Sequence, residues 1–265
     1  MIDPKNVCLF QPSELKKFKA ELFQRIGNKI VAQGGRVVVG NVGQLKTLPK
    51  HIVPIVGCSS YLKGTIDEWR EKRRPFIYWD RGYARRVFAT WLPKGENGGY
   101  YRYHLNSFQA QKVRDVPDDR WRSLGVDVRP WQRSGKHIVI AAPTRTYAKF
   151  HGCENWIADT IDALARATDR QLVIRDKESK RSLQSDLDGA HCLVSHGSIA
   201  AVESVILGCP VVVHPSSAAA LVGLTDLSKV ETPVYPDRQL WLNSLAYNQF
   251  NEQELVDGTL WRLLE

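Results

Sequence analysis

The sequence predicts an α/β fold built from two domains, and three observations lead to that prediction. The chain has 265 residues, which is long for one domain and fits two domains of ordinary size. Short β-type runs alternate with helical patterns through both halves, as in open sheets covered by helices. Hydrophobic residues make up 43% and charged residues 25%, so each half can bury a core.

The first half, residues 1–133, alternates helix and strand patterns. Apolar residues recur at helical spacing from Ser13 onward, and Gly34 and Gly35 end that helix. The segments that follow predict two buried strands, a helix that Pro75 ends, and two more strands: RVVVG, HIVPIVGC, YLKGTIDEWREKRR, PFIYWDRGY and GGYYRYHLNSF. No G-x-G-x-x-G follows a first strand, so the dinucleotide fingerprint is absent.

The second half, residues 134–265, begins with a strand of the parallel-sheet type, HIVIAAP. The segment before it is rich in Pro, Trp and polar residues and is predicted to be an interdomain linker, with the boundary near Arg133. Helices and strands then alternate, and the chain is predicted to end in helices from about Asp237. The alternating segments are ENWIADTIDALARATD, QLVIRDK, SLQSDLDGA, HCLVSHGS, IAAVESVILGC and PVVVHP.

Charge is distributed unevenly between the halves. The net charge is +9, but residues 1–133 hold 25 Lys and Arg against 12 Asp and Glu, while residues 134–265 hold 12 against 16. This asymmetry indicates that a polyanion contacts the first half only. A basic surface that serves solubility alone is the alternative interpretation.

Several classes of protein are disfavoured. No apolar run approaches the ~20 residues of a membrane span, and the N-terminus lacks the apolar stretch of a signal peptide, so a cytoplasmic location is expected. The five cysteines are scattered without a C-x-x-C pair, which argues against a disulfide framework and a zinc site. The sequence gives no reason to expect a metal or a cofactor.

Four strand ends in the second half carry residues suited to a phosphate-containing ligand. In an open parallel sheet, ligands bind beyond the carboxyl ends of the strands, next to helix N-termini. The turn at residues 195–198 has small residues and free backbone N–H groups that suit an anion. Glu203 in the next helix can accept both ribose hydroxyls. A plain helix cap is the alternative for each turn. In chain order the candidates are Thr144, Arg145, Thr146 and Lys149; Arg175, Asp176 and Lys177; Ser195, His196, Gly197 and Ser198; and His214, Pro215, Ser216 and Ser217.

The stretch SHGSIAAVESVILGCPVVVHP resembles the donor-binding signature of GT-B glycosyltransferases. That signature is a strand, a small-residue turn, a helix with an internal Glu, then Gly-x-Pro and a strand. The resemblance, which covers residues 134–265, implies two Rossmann-like domains that face a cleft, and a nucleotide-sugar donor, with UDP-sugars expected first. It implies phosphate contacts at Ser195, Gly197 and Ser198 and a ribose contact at Glu203. Nonhydrolysing sugar-nucleotide epimerases and capsule sugar transferases share the pattern.

Sugar transfer leaves a nucleoside diphosphate that gains negative charge, so nearby cations are expected to stabilise it. Arg145, Arg175 and Lys177 are the candidates, and His196 either donates to a phosphate or is a satisfied turn histidine. The general base is expected from the first half. Asp80, at a predicted strand end, would take the acceptor hydroxyl proton in an inverting transfer. Capping of a turn is the alternative role for Asp80.

The acceptor is expected to lie against the basic half. The spacing D-x-G-Y, followed by Y-R-x-x-x-N-x-x-Q, resembles uncharacterised phage proteins, and this would be consistent with a DNA-modifying transferase. The implied acceptor is double-stranded DNA, with a hydroxymethylated pyrimidine that leaves the base stack. The residues expected to contact it are Arg81, Tyr83, Arg85, Arg86, His104 and Asn106, supported by Arg70, Lys72, Arg73 and Arg74 and by the aromatic residues Trp69, Phe76, Tyr78, Trp79, Phe88 and Trp91.

Two other functions stay open. The chain can be a transferase for an anionic glycan, lipid or small molecule, whose carboxylates or phosphates bind the basic half. It can also be a non-catalytic nucleic-acid-binding protein with a degenerate nucleotide fold, in which case the loss of Asp80 changes nothing. Epimerase chemistry would need further acid and base carboxylates, and the second half offers few beyond Glu203 and Asp176. Fold alone does not decide among these.

Overall fold

A computed structural model describes residues 2–13, 17–86 and 99–265. Within these residues the strands are β1 (Val7–Pro12), β2 (Arg36–Gly40), β3 (Val53–Val56), β4 (Ile77–Arg86), β5 (Gly99–Leu105), β6 (His137–Ala141), β7 (Gln171–Arg175), β8 (Ala190–Ser195), β9 (Val211–Val213) and β10 (Gln249–Phe250). They form one sheet in the order β10-β5-β4-β3-β1-β2 and a second in the order β7-β6-β8-β9.

Helices cover both sheets. They are α1 (Lys17–Ala32), α2 (Val42–Lys46), α3 (Lys63–Glu71), α4 (Asp119–Ser123), α5 (Arg145–His151), α6 (Trp156–Ala167), α7 (Leu183–Leu187), α8 (Ile199–Ile206), α9 (Gln239–Ala246), α10 (Glu252–Val256) and α11 (Thr259–Leu263). Short 3₁₀ helices lie at Pro4–Asn6, Ser60–Leu62, Ala218–Leu221 and Leu227–Lys229. The predicted start of the first helix involves residues 14–16, which lie outside the described residues. Among the described helices, none is long and apolar enough to span a bilayer.

The first sheet is parallel across β2, β1, β3 and β4 and becomes antiparallel at β5 and β10. The strand β1, which lies between β3 and the edge strand β2, has no counterpart among the strands that the sequence predicts. The four residues Val7–Phe10 are all buried, at 0 to 1% exposure. A strand that is buried on both faces lacks the alternation that marks a half-exposed strand, so a short one leaves only a weak signal.

The strand β4 is longer than predicted and connects the two domains. The segment PFIYWDRGY predicts a strand that ends near Gly82, but the strand continues to Arg86, and Asp80 therefore lies within it and not at its end. Beyond Gly82, the buried Tyr83 and Ala84 belong to the same hydrophobic cluster as Val205 of α8. One strand thus begins in the first sheet and ends in the core of the second domain.

The second sheet is parallel throughout, as the run HIVIAAP predicts. The chain then returns to the first sheet, where β10 pairs antiparallel with β5 and Trp261 of α11 packs in the cluster that contains Leu9 of β1. The segment predicted to be a linker contains α4, whose Trp121 is buried in the core of the second domain. The division into 1–133 and 134–265 stays a prediction.

Candidate active site

A cleft of about 1300 Å³ lies between the two domains. Residues that follow the parallel strands of both sheets line it. They include Gly57–Ser59 after β3, Pro143–Thr144 after β6, Arg175–Lys177 at the end of β7, and the turn after β8. The carboxyl ends of parallel strands are where open α/β sheets bind ligands. The position of the cleft therefore agrees with the position at which the sequence predicts a ligand.

The turn after β8 forms one wall of the cleft. Ser195, Gly197 and Ser198 line it, at the point where α8 begins. Ser195 Oγ accepts a hydrogen bond from the Ser198 N–H at 3.2 Å, and Ser198 Oγ caps the helix by accepting from the Ala200 N–H at 3.2 Å. The positive end of the α8 dipole lies at this wall. The geometry suits an anionic group, and the phosphate contacts stay a prediction.

The turn packs directly against α5, and this requires a glycine. A Cβ atom at Gly197 would lie 2.4 Å from Tyr147 Oη of α5. Tyr147 is held by the start of its own helix, because its backbone N–H donates to Thr144 Oγ1, the N-cap, at 3.3 Å. Thr144 and Tyr147 both line the cleft. Thr144 was predicted to contact the donor, whereas Tyr147 was not. The N-cap at Thr144, three residues before Tyr147, is a local signal for the position of Tyr147.

His196 lies behind the turn and does not line the cleft. Its ring stacks on that of His214, with 4.3 Å between the centroids and 8° between the planes, and its Nδ1 is 3.2 Å from Tyr147 Oη. Burial, and then the nearby His214, lower the pKa of His196 to about 4. Of its two predicted roles, the geometry favours a satisfied turn histidine over a phosphate donor.

Among the predicted cations of the donor side, Arg175 and Lys177 line the cleft and Arg145 does not. Arg175 forms an ion pair with the buried Asp186. Arg181 contacts the same carboxylate at 2.8 Å, so Asp186 is paired with two arginines. Among the described residues, no group of three or more His, Cys, Asp or Glu side chains is placed to hold a metal ion.

Glu203 lies at the back of the cleft and pairs with Arg86 of β4, which reaches it from the opposite domain. The Glu203 side chain is 3% exposed and that of Arg86 is 14% exposed. Burial lowers the pKa of Arg86 to about 10, and repulsion from Arg81 and Arg102 adds to that shift. The residue predicted to bind ribose therefore contacts a residue predicted to bind the acceptor.

Asp80 faces the cleft from β4, and three donors orient it. Arg102 lies directly across the ladder in β5, and its Nη2 donates to Asp80 Oδ2 at 2.9 Å. The Tyr78 hydroxyl donates to the same oxygen at 3.2 Å, and the Arg81 N–H donates to Oδ1 at 2.8 Å. The Asp80 side chain keeps 38% of its exposure, so the carboxylate is both oriented and accessible. A general base needs both properties.

The hydrogen bonds from Arg102 and Tyr78 to this carboxylate were not predicted from the sequence. Tyr78 and Asp80 are two residues apart on one strand, so their side chains project from the same face, and this spacing was a usable signal. Arg102 faces Asp80 only through the register between β4 and β5. That register depends on two segments about twenty residues apart and has no local signature.

Four of the six residues expected to contact an acceptor do not line the cleft. They are Tyr83, Arg85, His104 and Asn106. Tyr83 and His104 are buried, with Tyr83 Oη 2.9 Å from His104 Nε2. These two side chains support the junction between the domains. Tyr83 lies at this junction because β4 enters the core of the second domain just after Gly82.

The other two of these residues shape the backbone. Arg85 has a positive φ of 51°, and its guanidinium donates to the Leu124 carbonyl. Asn106 has a φ of 58°, a left-handed conformation that asparagine adopts more readily than most residues, and its Oδ1 accepts from the Phe76 N–H at 3.0 Å. From the predicted acceptor set, Arg81 and Arg86 are the residues that line the cleft.

The aromatic residues expected to stack on bases lie mostly in the core. Those in the described part of the chain are 0 to 5% exposed: Trp69, Phe76, Tyr78, Trp79 and Tyr83. Phe88 and Trp91 lie outside the described residues. Two of the arginines serve packing, because Arg70 lies 4.2 Å above the Phe108 ring and Arg74 donates to the Leu48 carbonyl at 2.9 Å. Trp79 is the one of these five that lines the cleft, and the other four are closed to a flipped base.

The buried histidines predict that the fold loses stability in mild acid. Burial, and then Arg102, lower the pKa of His104 to about 3, while an unfolded histidine titrates near 6.5. Between these values the unfolded chain binds more protons, so stability falls as the pH falls through this range. In His104→Gln we expect the loss between pH 6 and pH 5 to be smaller by about 1.2 kcal/mol. Urea unfolding at both pH values measures this, and an unchanged slope would contradict it. His51→Gln, at an exposed position, is the matched control.

Together these observations define a class: a two-domain α/β protein in which a small-residue turn at a helix N-terminus faces an accessible carboxylate across a cleft. No family model and no curated protein matches the sequence. Several solved structures share the fold, and two of them are KpsC transferases from Thermosulfurimonas dismutans. The beta Kdo 2,4 transferase is 12% identical with a TM-score of 0.51, over 98% of each chain. The beta Kdo 2,7 transferase is 12% identical with a TM-score of 0.53, over 96% of this chain and 99% of that one. The predicted fold class, two Rossmann-like domains that face a cleft, is confirmed.

Proposed function

We propose that this protein is a glycosyltransferase that moves a sugar from a nucleotide-sugar donor to a hydroxyl group of an anionic glycan. The donor binds the second-domain wall, with its phosphates at Ser195–Ser198 and its ribose at Glu203. The acceptor binds the first-domain wall, near Arg81. Asp80 is the carboxylate at the reacting centre. The comparisons support transfer of this general kind, because two solved structures that share the fold are Kdo transferases.

One observation carries the proposal: a turn suited to phosphate and an oriented, accessible carboxylate line the same cleft from opposite domains. Transfer of a sugar needs these two functions on either side of the anomeric carbon. Asp80 would take the proton of the acceptor hydroxyl as its oxygen bonds to that carbon, while the bond to the leaving phosphate breaks. Arg175 and Lys177 stabilise the charge that the phosphate gains. This sequence of bond changes inverts the anomeric configuration.

An anionic glycan is a better match for the acceptor than DNA. Kdo is an acidic sugar, so the sugar that the two KpsC transferases transfer carries a carboxylate. The cleft itself presents Arg81, Arg86 and Arg102 on its first-domain wall, which suits carboxylates as well as phosphates. The DNA acceptor was predicted from basic residues around Asp80 with aromatic residues between them, and the described aromatic residues of that set are 0 to 5% exposed. The comparisons give DNA no support.

A screen of donors and acceptors tests the proposal. Thermal stability would be measured with UDP-, GDP-, dTDP- and CMP-linked sugars, both acidic and neutral. Each stabilising donor would then be tested for nucleotide release with an anionic oligosaccharide, with a neutral one of the same length, and with hydroxymethylated DNA. We expect one donor to raise the melting temperature and its nucleotide to be released only with the anionic oligosaccharide. Release that requires DNA would reverse the acceptor assignment, and a lack of stabilisation by any nucleotide would refute the donor site.

A further inference from the structure

A buried glutamine reaches the proposed donor turn from the first half of the chain. Gln109 follows β5 and is 2% exposed. Its Nε2 donates to the Gly197 carbonyl at 2.6 Å, and its Oε1 accepts from the Ala218 N–H at 2.9 Å. Each end of the side-chain amide thus has a partner of the correct polarity, which fixes its orientation. Gln109 connects the turn after β8 to the 3₁₀ helix that follows β9.

The residue next to Gln109 is held by the strand that carries Asp80. The Ala110 N–H donates to Tyr83 Oη at 2.9 Å, and Tyr83 lies three residues after Asp80 on β4. Tyr83 is fully buried and its hydroxyl also contacts His104, so this anchor cannot shift without disturbing the core. A short, buried chain of contacts therefore runs from β4 through residues 109–110 to Gly197.

The Gln109 link matters because Gly197 is the residue of the turn that has no side chain to restrain it, whereas Ser195 and Ser198 form side-chain hydrogen bonds and His196 stacks on His214. Glycine has no Cβ, so the φ and ψ of Gly197 are less restricted than those of other residue types. Its carbonyl oxygen would be left without the Gln109 donor if that side chain were removed, and a buried carbonyl without a partner is costly. An error of about 1 Å in the placement of a reacting group can slow a reaction by about 100-fold.

We propose that Gln109 is a positioning residue that holds the turn Ser195–Ser198 in place relative to Asp80. The consequence for donor alignment rests on the proposed function, whereas the effect on the turn itself does not. Gln109 touches neither the donor nor the acceptor. It acts through the Gly197 carbonyl, and it therefore controls where the phosphates of a bound donor sit with respect to the carboxylate on the opposite wall.

Two variants change the contacts of Gln109, and a third variant serves as the control. Gln109→Met is similar in size and removes both hydrogen bonds. Gln109→Glu keeps an oxygen that can accept from the Ala218 N–H but, when ionised, cannot donate to the Gly197 carbonyl. Gln111→Met is the matched control, because Gln111 lies two residues along the same segment, is exposed, and donates to the Ser216 carbonyl at 2.9 Å.

Hydrogen exchange without any ligand is the first measurement. We expect the amides of residues 195–198 to exchange about tenfold faster in Gln109→Met and in Gln109→Glu, because a buried hydrogen bond is lost. Exchange in β6 should not change, and Gln111→Met should match the unmodified protein. Unchanged exchange at the turn in Gln109→Met, or an equal change in Gln111→Met, would overturn the proposal.

The dissociation constant of the nucleoside diphosphate and the rate of transfer are measured next on the same variants. We expect the dissociation constant to rise about tenfold and kcat to fall in both Gln109 variants, with Gln111→Met unaffected. Equal binding and equal kcat in all variants would overturn the role in donor alignment. If the turn loosens as expected but no nucleotide binds even the unmodified protein, the proposed function fails and the structural role of Gln109 stands.

Discussion

Replacement of Asp80 by asparagine is expected to lower the rate of sugar transfer by about 10²- to 10⁴-fold, the usual contribution of a general base. Asparagine has the size of aspartate and keeps an oxygen that can accept from Arg102 and Tyr78, so the fold should be retained. It cannot take the proton of the acceptor hydroxyl. The dissociation constant of the donor should stay within about twofold, because the donor binds the opposite wall. Initial rates and equilibrium binding of the donor measure the two effects separately.

Asp67→Asn is the matched control for this variant. Asp67 is also an aspartate in an ion pair, with Lys63 at 2.6 Å and a side chain 45% exposed, but it lies on α3 and does not line the cleft. Its replacement should leave the rate unchanged. If Asp80→Asn kept most of the activity, Asp80 would not be the base. A non-catalytic nucleic-acid-binding protein would show no transfer at all, with or without Asp80.

The anomeric configuration of the product adds a second criterion for Asp80. Direct attack by a hydroxyl that Asp80 deprotonates inverts the configuration, and NMR of the product would show this. A product with retained configuration, combined with a large rate loss in Asp80→Asn, would keep Asp80 at the reacting centre. It would, however, assign the carboxylate a different role from that of a base.

Replacement of Glu203 by leucine is expected to lower the free energy of unfolding by about 3 kcal/mol, because it leaves the Arg86 guanidinium buried without this partner. The same variant should lose donor binding, since the carboxylate for the ribose is gone. Chemical denaturation and donor titration measure the two losses. A loss of stability below about 1 kcal/mol, the range of surface pairs, would show that the pair is effectively solvated.

The double variant Arg86→Met, Glu203→Leu separates the two roles of Glu203. Removal of both charges is expected to restore most of the stability, because the Arg86 charge that Glu203→Leu leaves buried is then removed as well. Donor binding should not recover. Recovery of donor binding together with stability would show that Glu203 supports the fold and does not hold the ribose. Glu68→Leu, at a surface carboxylate paired with Lys46 and Lys72, is the control and should change stability little.

The second domain was predictable nearly element by element, whereas the first was predictable only in part. The runs HIVIAAP and PVVVHP are apolar and bounded by turn residues, and they match β6 and β9. In the first domain, β1 was missed because it is short and buried on both faces. The strand β10 was missed because its two residues follow a helical pattern and become a strand only by pairing with β5.

The sequence by itself determined the strand ends of the second sheet, the cap of α8 at Ser198 and the small residues of the turn at Ser195–Ser198. These features depend on local periodicity and on the chemistry of glycine and of capping hydroxyls. Only the tertiary structure decided which of the candidate side chains share the cleft. Asp80 meets Arg102 through the register of β4 and β5, and Tyr83 leaves the cleft because β4 passes into the second core. Both depend on contacts between segments that are far apart in the chain, and no local pattern encodes them.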